Sequence, residues 1–346
     1  MMTLMMSLLL SASPAHAQSS ATLRGLDVYR STVLTTDKAR ELFAHRITEI
    51  VVLRNQRRPA STDKAEAVRK AIVAELTKMP GIAYGELTVA EYFTSVEHSM
   101  YATFDIVDDS DRGRLAFAPV PKRTIPDPGG LLADWKSYYE LGSMLSRRGQ
   151  MPVDRPDCPG FYCLWGGATP ELAALQSKFV AGATAKLKEL KAVLAYDADA
   201  DKRGAALFVL SYGPSGERVL ESCLAALKDP SSSVRGAALN ILADIINHRK
   251  DLRVDADLIV PLLDDPSVSV RGKTLGLLVP LVDDAAQRKK ILTMAPRLLD
   301  ILKLSEPGSH DLAYTVLGQL SKKAFDRRDF PSWAKWVSAN TEGLKK

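Results

Sequence analysis

Four aspartates lie close together in the sequence at the end of an alternating apolar segment, and a histidine precedes that segment. The residues are Asp105, Asp108, Asp109, Asp111 and His98. Carboxylate oxygens are the ligands that Ca²⁺ and Mg²⁺ prefer, so this group is a candidate cation site. The cluster lacks the Asp-x-Asp-x-Asp-Gly spacing of a calcium loop, and a strand that ends in an acidic turn contains the same residues. We therefore expect a solvated turn and predict no metal site.

A second chemical pattern occurs at Ser61 and Lys64, which match the Ser-x-x-Lys nucleophile motif of some acyl enzymes. A serine at the start of a helix is more simply explained as a cap for free backbone N–H groups. The sequence has no Gly-x-Ser-x-Gly, His-Glu-x-x-His, phosphate-loop or dinucleotide-binding glycine motif, and it has only 5 histidines. Because general acid–base chemistry has few carriers here, we predict no catalytic residue and no cofactor.

The chain has three cysteines, and two of them, Cys158 and Cys163, flank a turn-forming Pro-Gly-Phe-Tyr segment. In an oxidising compartment such a pair is expected to form a disulfide that fixes a local turn. A redox centre or a pair of metal ligands is the alternative. The spacing is not C-x-x-C, however, and no second Cys or His pair lies nearby in the sequence. Cys223 occupies an apolar position of the repeat described below, so we expect a buried, reduced thiol.

The first 17 residues favour export. Residues 4–10 are apolar, residues 11–14 interrupt that run, and residues 15–17 have the small-x-small pattern of a signal-peptide cleavage site. Residues 1–3 contain no Lys or Arg, so an uncleaved apolar N-terminus is the alternative. No later apolar run approaches the ~20 residues that a membrane-spanning helix needs. We predict an exported protein, periplasmic or secreted, that is cleaved after Ala17.

One short phrase recurs in the C-terminal half, as Arg-Gly-Ala-Ala-Leu at residues 203–207 and 235–239 and as Arg-Gly-Lys-Thr-Leu at residues 271–275. The spacings of 32 and 36 residues are typical of stacked helical pairs. Apolar residues at i, i+3, i+4 and i+7 recur in register before the second phrase, before the third phrase and after the third phrase, and they predict an amphipathic helix at each place. They are Leu220, Cys223, Leu224 and Leu227, then Ala256, Ile259, Val260 and Leu263, then Ala295, Leu298, Leu299 and Leu302.

The turn inside each predicted pair also recurs, as Asp229-Pro230 and as Asp265-Pro266, and Val-Arg opens the helix that follows. Proline cannot continue the first helix, and the serine after it can cap the second. A helical pair with these features resembles the HEAT-repeat family, and the resemblance extends over residues from about 170 to 346.

In that family the turn aspartate and the arginine six residues later form hydrogen bonds between adjacent repeats, as a ladder. The resemblance implies this role for Asp229 with Arg235 and for Asp265 with Arg271. The flanking units differ, because the segment before Arg203 has no proline and His310 occupies the position of the last arginine. We expect the ladder to fail in these flanking units.

The N-terminal region has a different pattern. It begins with two predicted amphipathic helices, one opened by Thr36 and one opened by Ser61 or Thr62. The period then changes to two between residues 99 and 106, which predicts a small antiparallel sheet. A proline-rich loop at residues 119–128 and a further helix follow. The region is α+β in character, and we recognise no family in it.

These patterns together predict a mainly α protein with three segments. A signal peptide at 1–17 is followed by an α+β domain at 18–165 and by a HEAT-like α-solenoid of antiparallel helix pairs at 166–346. A terminal helix containing Trp333 and Trp336 is expected to cap the solenoid, because large aromatic side chains cover an exposed apolar edge. If that helix is not a cap, the two tryptophans become candidates for partner binding.

Stacked repeats build long surfaces, so we predict a non-catalytic interaction or scaffold protein with a protein partner. The net charge of +5 is mild and the basic residues are scattered, so we expect no nucleic-acid partner. In HEAT proteins the helices with the repeated phrase line the concave side, which implies a candidate surface there. Its residues are Phe208, Tyr212, Asn240 and Asp244, of which the two aromatic ones are expected to lie under the N-terminal domain.

A second hypothesis places an enzyme or a ligand sensor in the N-terminal domain, with the repeats as a docking arm. An enclosed polar pocket around His98 and Asp105 would favour that hypothesis, and a solid core at the same place would favour the first.

Overall fold

The computed structural model describes residues 20–93, 97–152, 158–249 and 251–342, so the predicted signal peptide lies outside the described residues. The described chain is mostly helical, with one small sheet near its N-terminus. None of the helices in these ranges combines the length and the apolar character needed to cross a membrane.

The N-terminal region contains three strands and two helices. In chain order they are β1 (Thr22–Tyr29), α1 (Thr36–Asn55), α2 (Pro59–Leu76), β2 (Ile82–Phe93) and β3 (His98–Asp108). The strand order is β1-β3-β2, with β2 antiparallel and β1 parallel to β3. The predicted antiparallel pairing is present between β2 and β3, and the parallel strand β1 was not predicted. Strand β1 is connected to its parallel neighbour β3 through α1, α2 and β2, and parallel strands require a long connection of this kind.

The two helices cover one face of this sheet. Phe43 of α1 lies 5.4 Å from Phe104 of β3, measured between ring centroids, and both are buried with the other apolar residues of the strand. Helix α2 begins at Pro59, two residues before the predicted cap, and Ser61 is a buried residue of its first turn. The Ser61 hydroxyl donates to Gln56 Oε1 at 2.7 Å. This serine therefore has a structural role, because it connects the start of α2 to the end of α1.

The C-terminal half is a stack of helices. After α3 (Leu131–Arg147) and α4 (Pro170–Ala185) come the pairs α5 (Leu187–Tyr196) with α6 (Ala200–Leu210) and α7 (Gly216–Ala226) with α8 (Ser232–His248). The third pair ends in α9 (Val268–Leu281), and α10 (Ala285–Leu292) connects it to α11 (Ala295–Leu302) and α12 (Pro307–Ser321). The last helix is α13 (Phe330–Thr341). Helices α6, α8, α9 and α12 contact one another in that order.

The third pair differs from the prediction in its first element. Residues 256–263 were predicted to form an amphipathic α-helix, and they form two 3₁₀ segments instead, Ala256–Leu258 and Val260–Asp264. Pro261 lies at the start of the second segment and has no N–H to donate to a preceding turn. The apolar positions Ala256, Ile259 and Leu263 are nevertheless buried in the solenoid core.

Helix α3 packs with the solenoid. Its Leu132, Trp135 and Tyr138 share a buried cluster with Phe179 of α4 and with α6. The residues of the sheet and of α1 and α2 form a separate cluster. We infer from this packing that the N-terminal domain ends before α3, whereas the sequence pattern placed its boundary at residue 165.

Candidate interaction surface and inter-repeat ladder

Three arginines, one near the start of each of α6, α8 and α9, form equivalent sets of hydrogen bonds. The Nη1 atoms of Arg203, Arg235 and Arg271 donate to the backbone oxygens of the residues six positions earlier, at 2.9, 2.8 and 2.8 Å. These acceptors are Asp197, Asp229 and Asp265. All three arginine side chains are buried, so each guanidinium ties its helix start to its own turn.

The same arginines also reach the neighbouring pair. Arg203 donates to both carboxylate oxygens of Asp229 at 2.8 and 2.7 Å, and Arg235 donates to both carboxylate oxygens of Asp265 at 2.7 and 2.8 Å. Two parallel N–H···O bonds between planar groups fix both distance and angle. The ladder therefore joins Arg203 and Arg235 to the aspartate of the next turn, while the contact of each arginine with the aspartate six residues earlier uses the backbone oxygen.

The expectation that the ladder fails at Arg203 was wrong. Asp197 replaces the Asp-Pro turn, and its Oδ1 accepts from the backbone N–H of Asp199 at 2.8 Å. Asp229 and Asp265 accept from Ser231 and Ser267 in the same way, at 2.7 and 2.9 Å. The turn needs this carboxylate and not the proline. The spacing of 32 residues between Asp197 and Asp229, equal to that of the first two arginines, is the signal that sequence reasoning missed.

The third arginine, Arg271, forms its ion pair with a carboxylate of the N-terminal domain. Arg271 Nη2 donates to Oδ1 of Asp105, in β3, at 2.5 Å, and the backbone N–H of Val268 donates to Asp105 Oδ2 at 3.1 Å. The guanidinium also lies 3.8 Å from the centroid of the Tyr29 ring. In the next turn Glu306 instead accepts from the backbone N–H of Ser309 at 2.8 Å. Beyond it, Nδ1 of His310 donates to the Leu302 oxygen at 2.6 Å.

We call the four turns inside the helical pairs, residues 196–199, 227–231, 264–267 and 303–306, the turn edge. The sheet covers its last two turns. Tyr29 donates its hydroxyl to the oxygen of Leu263 at 2.8 Å, and Arg30 forms an ion pair with Asp264 at 2.6 Å. Ser305 donates its N–H and its hydroxyl to Asp27, each at 2.8 Å. The polar face of the sheet therefore packs on the solenoid.

The first two turns are covered by residues 116–127, which we call the strap. Within the strap, Ala118 N–H donates to the Lys228 oxygen at 2.7 Å, and the ring of Phe117 lies 4.0 Å from the Arg235 guanidinium. Ile125 N–H donates to Asp197 Oδ2 at 2.8 Å. All four turns thus contact one continuous N-terminal segment, and this edge of the solenoid is occupied within the molecule.

The predicted acidic turn is divided among separate partners. Asp105 pairs with Arg271, and Asp108 accepts the hydroxyl hydrogens of Ser31 at 2.5 Å and Thr32 at 2.9 Å. These bonds and the neighbouring backbone N–H groups outweigh the effect of burial, which on its own raises the pKa, so the pKa of Asp108 is lowered. Two ion pairs complete the set, Asp109 with Arg112 and Asp111 with Arg30. Across residues 20–93, 97–152, 158–249 and 251–342, no group of three His, Cys, Asp or Glu side chains has a metal-binding arrangement.

His98 and Asp105 do not share an enclosed pocket. His98 is 6% exposed, its Nε2 contacts Glu91, and its ring stacks on Phe93 with 4.3 Å between centroids. Asp105 is fully buried against Arg271. The Asp105 side chain is therefore solidly packed between the sheet and the solenoid.

The predicted interaction residues lie in different environments. Tyr212 is 2% exposed, and its hydroxyl accepts from Gln176 Nε2 at 3.2 Å, so it belongs to the core and not to a surface. Phe208 is half-buried and stacks on Trp135 of α3 with 4.6 Å between centroids. Helix α3, which belongs to the predicted α+β segment, provides this cover. Asn240 is half-buried and accepts from Lys273 Nζ at 2.8 Å, and Asp244 is half-buried nearby on α8.

The two tryptophans of α13 also differ from each other. Trp333 is fully buried, its Nε1 donates to the Asp326 oxygen at 3.0 Å, and its ring lies edge-on to Phe325. Trp336 is half-buried against the same core. Because α13 packs on α11, it covers the end of the last pair, which is what the cap hypothesis requires of it.

A groove of about 790 Å³ lies between α3, α6 and α8. Trp135, Phe208 and Leu132 provide apolar surface, and Tyr139 is 52% exposed at its rim. Gly204 also lines the groove, and nothing lies within 4 Å of the position that a Cβ would take there. The groove borders two of the repeated-phrase helices, and Phe208 is the residue of the predicted surface that lines it.

The disulfide between Cys158 and Cys163 is confirmed, with the two Cα atoms 5.5 Å apart. The backbone N–H of Phe161, inside the small loop, donates to the Ser211 oxygen at 2.8 Å. The cross-link therefore holds a loop that packs on α6. Cys223 is a free thiol buried in the solenoid core, as its place in the repeat predicted.

Comparison with known proteins agrees with the ladder. A search of curated proteins finds no match to this chain. Residues 219–249 match the HEAT repeat family model, and they comprise most of α7, the turn with Asp229 and all of α8. The N-terminal part matches no family model. The C-terminal half of this chain therefore contains a HEAT repeat, in the pair whose arginine and aspartate both belong to the ladder.

Proposed function

We propose that the protein is an exported, non-catalytic interaction protein that binds a protein partner in the groove between α3, α6 and α8. HEAT repeat proteins are typically non-enzymatic scaffolds, and this supports the class of function. We choose this surface because the turn edge is already covered within the molecule. The sheet and the strap already contact all four turns, whereas the groove is accessible and lined with aromatic side chains.

Export is supported by the disulfide, because such cross-links persist in oxidising compartments. Mass spectrometry of the protein from its native host tests this part of the proposal. We expect an N-terminus at Gln18, and a full-length cytoplasmic chain would contradict it.

Site-specific photo-crosslinking in the native host tests the surface. A photoreactive side chain at Tyr139, on the groove rim, is compared with one at Val52 on α1, which is 54% exposed and distant from the groove. We expect a discrete cross-linked protein from position 139 and none from position 52. The same product from both positions, or a product from Val52 alone, would show that the groove is not the partner site.

A further inference from the structure

A separate cavity of about 500 Å³ lies between the sheet and the last helical pair. Tyr101 of β3 forms one wall, Lys303 and Ser305 come from the turn before α12, and Arg328 and Phe330 come from the start of α13. Its size is in the range of small-ligand sites. Because both domains contribute to it, the cavity exists only when the sheet is docked on the solenoid.

We propose that this cavity binds a small organic anion, one that carries a carboxylate or a phosphate beside an apolar group. The charge of the lining is the first argument. Lys303 and Arg328 face the cavity and form no ion pair anywhere in the described ranges, whereas the nearby Arg327 pairs with Asp311 at 3.0 Å. An arginine and a lysine together offer a forked donor and a compact positive charge, which suits an oxyanion.

Other lining groups limit which anion fits. Glu97 also lines the cavity and forms an ion pair with Arg24 at the rim, so one carboxylate is already matched by one cation. His310 lines it as well, with Nδ1 committed to the Leu302 oxygen. Excess positive charge therefore comes from Lys303 and Arg328, and it suits a ligand with a single anionic group.

Other residues of the cavity wall provide apolar surface, which indicates that the ligand also has an apolar group. The Phe330 ring and Leu304 line the cavity beside the two cations, and Tyr101 adds an aromatic ring whose centroid is 5.6 Å from that of Tyr92. An inorganic anion alone would leave this apolar surface in contact with water. A ligand with an aromatic or aliphatic group covers it and gains the free energy of apolar burial.

The wall is closely packed on the sheet side. A Cβ at Gly25 would lie 2.6 Å from the Ser305 Cβ and 2.9 Å from Tyr101 Cδ1, so glycine permits the close approach of strand and turn. The two bonds from Ser305 to Asp27 hold the turn in place. A preformed wall reduces the ordering that binding requires.

Isothermal titration calorimetry on the mature protein tests the proposal with four probes: phenyl phosphate, phenylacetate, inorganic phosphate and benzyl alcohol. We expect at least one of the two aryl anions to bind, and the tighter one identifies the anionic group. We expect benzyl alcohol not to bind and inorganic phosphate to bind at least tenfold more weakly than the tighter aryl anion. Absence of binding by both aryl anions at millimolar concentration would overturn the proposal, and so would binding of benzyl alcohol with equal affinity. If inorganic phosphate binds as tightly as the aryl anions, the assignment of an apolar group is wrong.

The double variant Lys303→Gln with Arg328→Gln locates the site. Both side chains are exposed and form no ion pair with any residue that the structure describes, so the variant is expected to fold normally. We expect it to bind the aryl anion at least tenfold more weakly than the wild type. The control is Arg327→Gln, which removes one positive charge at the position next to Arg328 and is expected to change affinity less than twofold. Equal affinity in the double variant and the wild type would show that the anion binds elsewhere.

Discussion

Asp105 and Arg271 form a fully buried ion pair although 166 residues separate them in the chain. The aspartate belongs to a strand of the N-terminal sheet, and the arginine belongs to the third helical pair. Arg203 and Arg235 each form an ion pair with an aspartate in the turn of the next helical pair. Asp105 therefore supplies to Arg271 the carboxylate that the turn of the next pair supplies to the other two arginines.

Asp105→Asn is expected to lower the free energy of unfolding by about 3–5 kcal/mol, because it leaves the Arg271 charge buried without its counter-ion. Urea denaturation of the variant and the wild type measures the change. Asp109→Asn is the matched control. That side chain is half-exposed and pairs with Arg112 at the surface, where such pairs contribute about 0–1 kcal/mol. Equal losses in the two variants would contradict the importance of the buried pair.

Leu242→Ala and Leu278→Ala are each expected to destabilise the protein by about 2–5 kcal/mol, the range for large-to-small substitutions in a core. Both side chains are fully buried at equivalent positions of α8 and α9. Lys228→Ala, in an exposed position of the turn, is expected to cost less than about 0.5 kcal/mol. A large loss at Lys228, or a negligible one at either leucine, would refute the equivalence of the two repeats.

Thiol labelling is expected to distinguish the three cysteines. Burial raises the pKa of the Cys223 thiol, so the folded protein should resist alkylation at neutral pH. After denaturation without reductant, mass spectrometry should find one label, on Cys223, because Cys158 and Cys163 are cross-linked. A label on Cys158 before reduction would show that the pair is free in the exported protein.

Trp333→Ala is expected to cost about 3–5 kcal/mol and to promote aggregation, because it removes the buried ring that joins α13 to the last pair. Trp336→Ala should cost less, since that side chain is only half-buried. Deletion of residues 330–346 should unfold part of the C-terminal half and leave the sheet domain folded. Thermal melting and light scattering measure both effects, and unchanged melting of the truncated protein would show that this helix is not a cap.

Asp27 provides a test that depends on pH. Burial raises the pKa of this carboxyl above its usual value of 3.8, while the bonds from Ser305 act against the increase. A raised pKa means that the folded state favours the protonated form, so this contribution to stability is complete below the usual value. It is lost as the pH rises through the raised pKa. The stability of the wild type relative to Asp27→Asn should therefore decrease in urea titrations as the pH rises above the usual carboxyl value of 3.8. A relative stability that increases over this range would contradict the raised pKa.

Much of the solenoid was predictable because each repeat contains the same pattern of residue types. The buried leucines, the turn aspartates and the repeated arginines recur at nearly constant spacing, so a fault in one copy can be checked against another. At the 3₁₀ segment Val260–Asp264, however, the repeat pattern predicted the wrong secondary structure. The apolar spacing of a helix was kept there, while Pro261 changed the backbone.

The contact between the domains was not predictable by the same reasoning. The polar residues of β3 alternate with apolar ones, and that alternation is equally typical of a strand face in water. Thr103 and Asp105 are instead buried, because their face packs on the charged turns of the solenoid. Nothing near Asp105 in sequence identifies Arg271 as its partner. Likewise, the amphipathic pattern of α3 shows that one face is buried, and not whether the sheet or α6 buries it.

The continuous contact of one N-terminal segment with all four turns has a consequence for cooperativity. In a simple repeat array each unit contacts only its neighbours, so the ends can unfold while the middle stays intact. Here the first turn binds Ile125 and the last binds Asp27, and both belong to the same stretch of chain. Fraying at either end must break contacts with a segment that also holds the opposite end. The array therefore gains long-range coupling, and hydrogen exchange in α5 and in α12 is expected to report one shared opening transition.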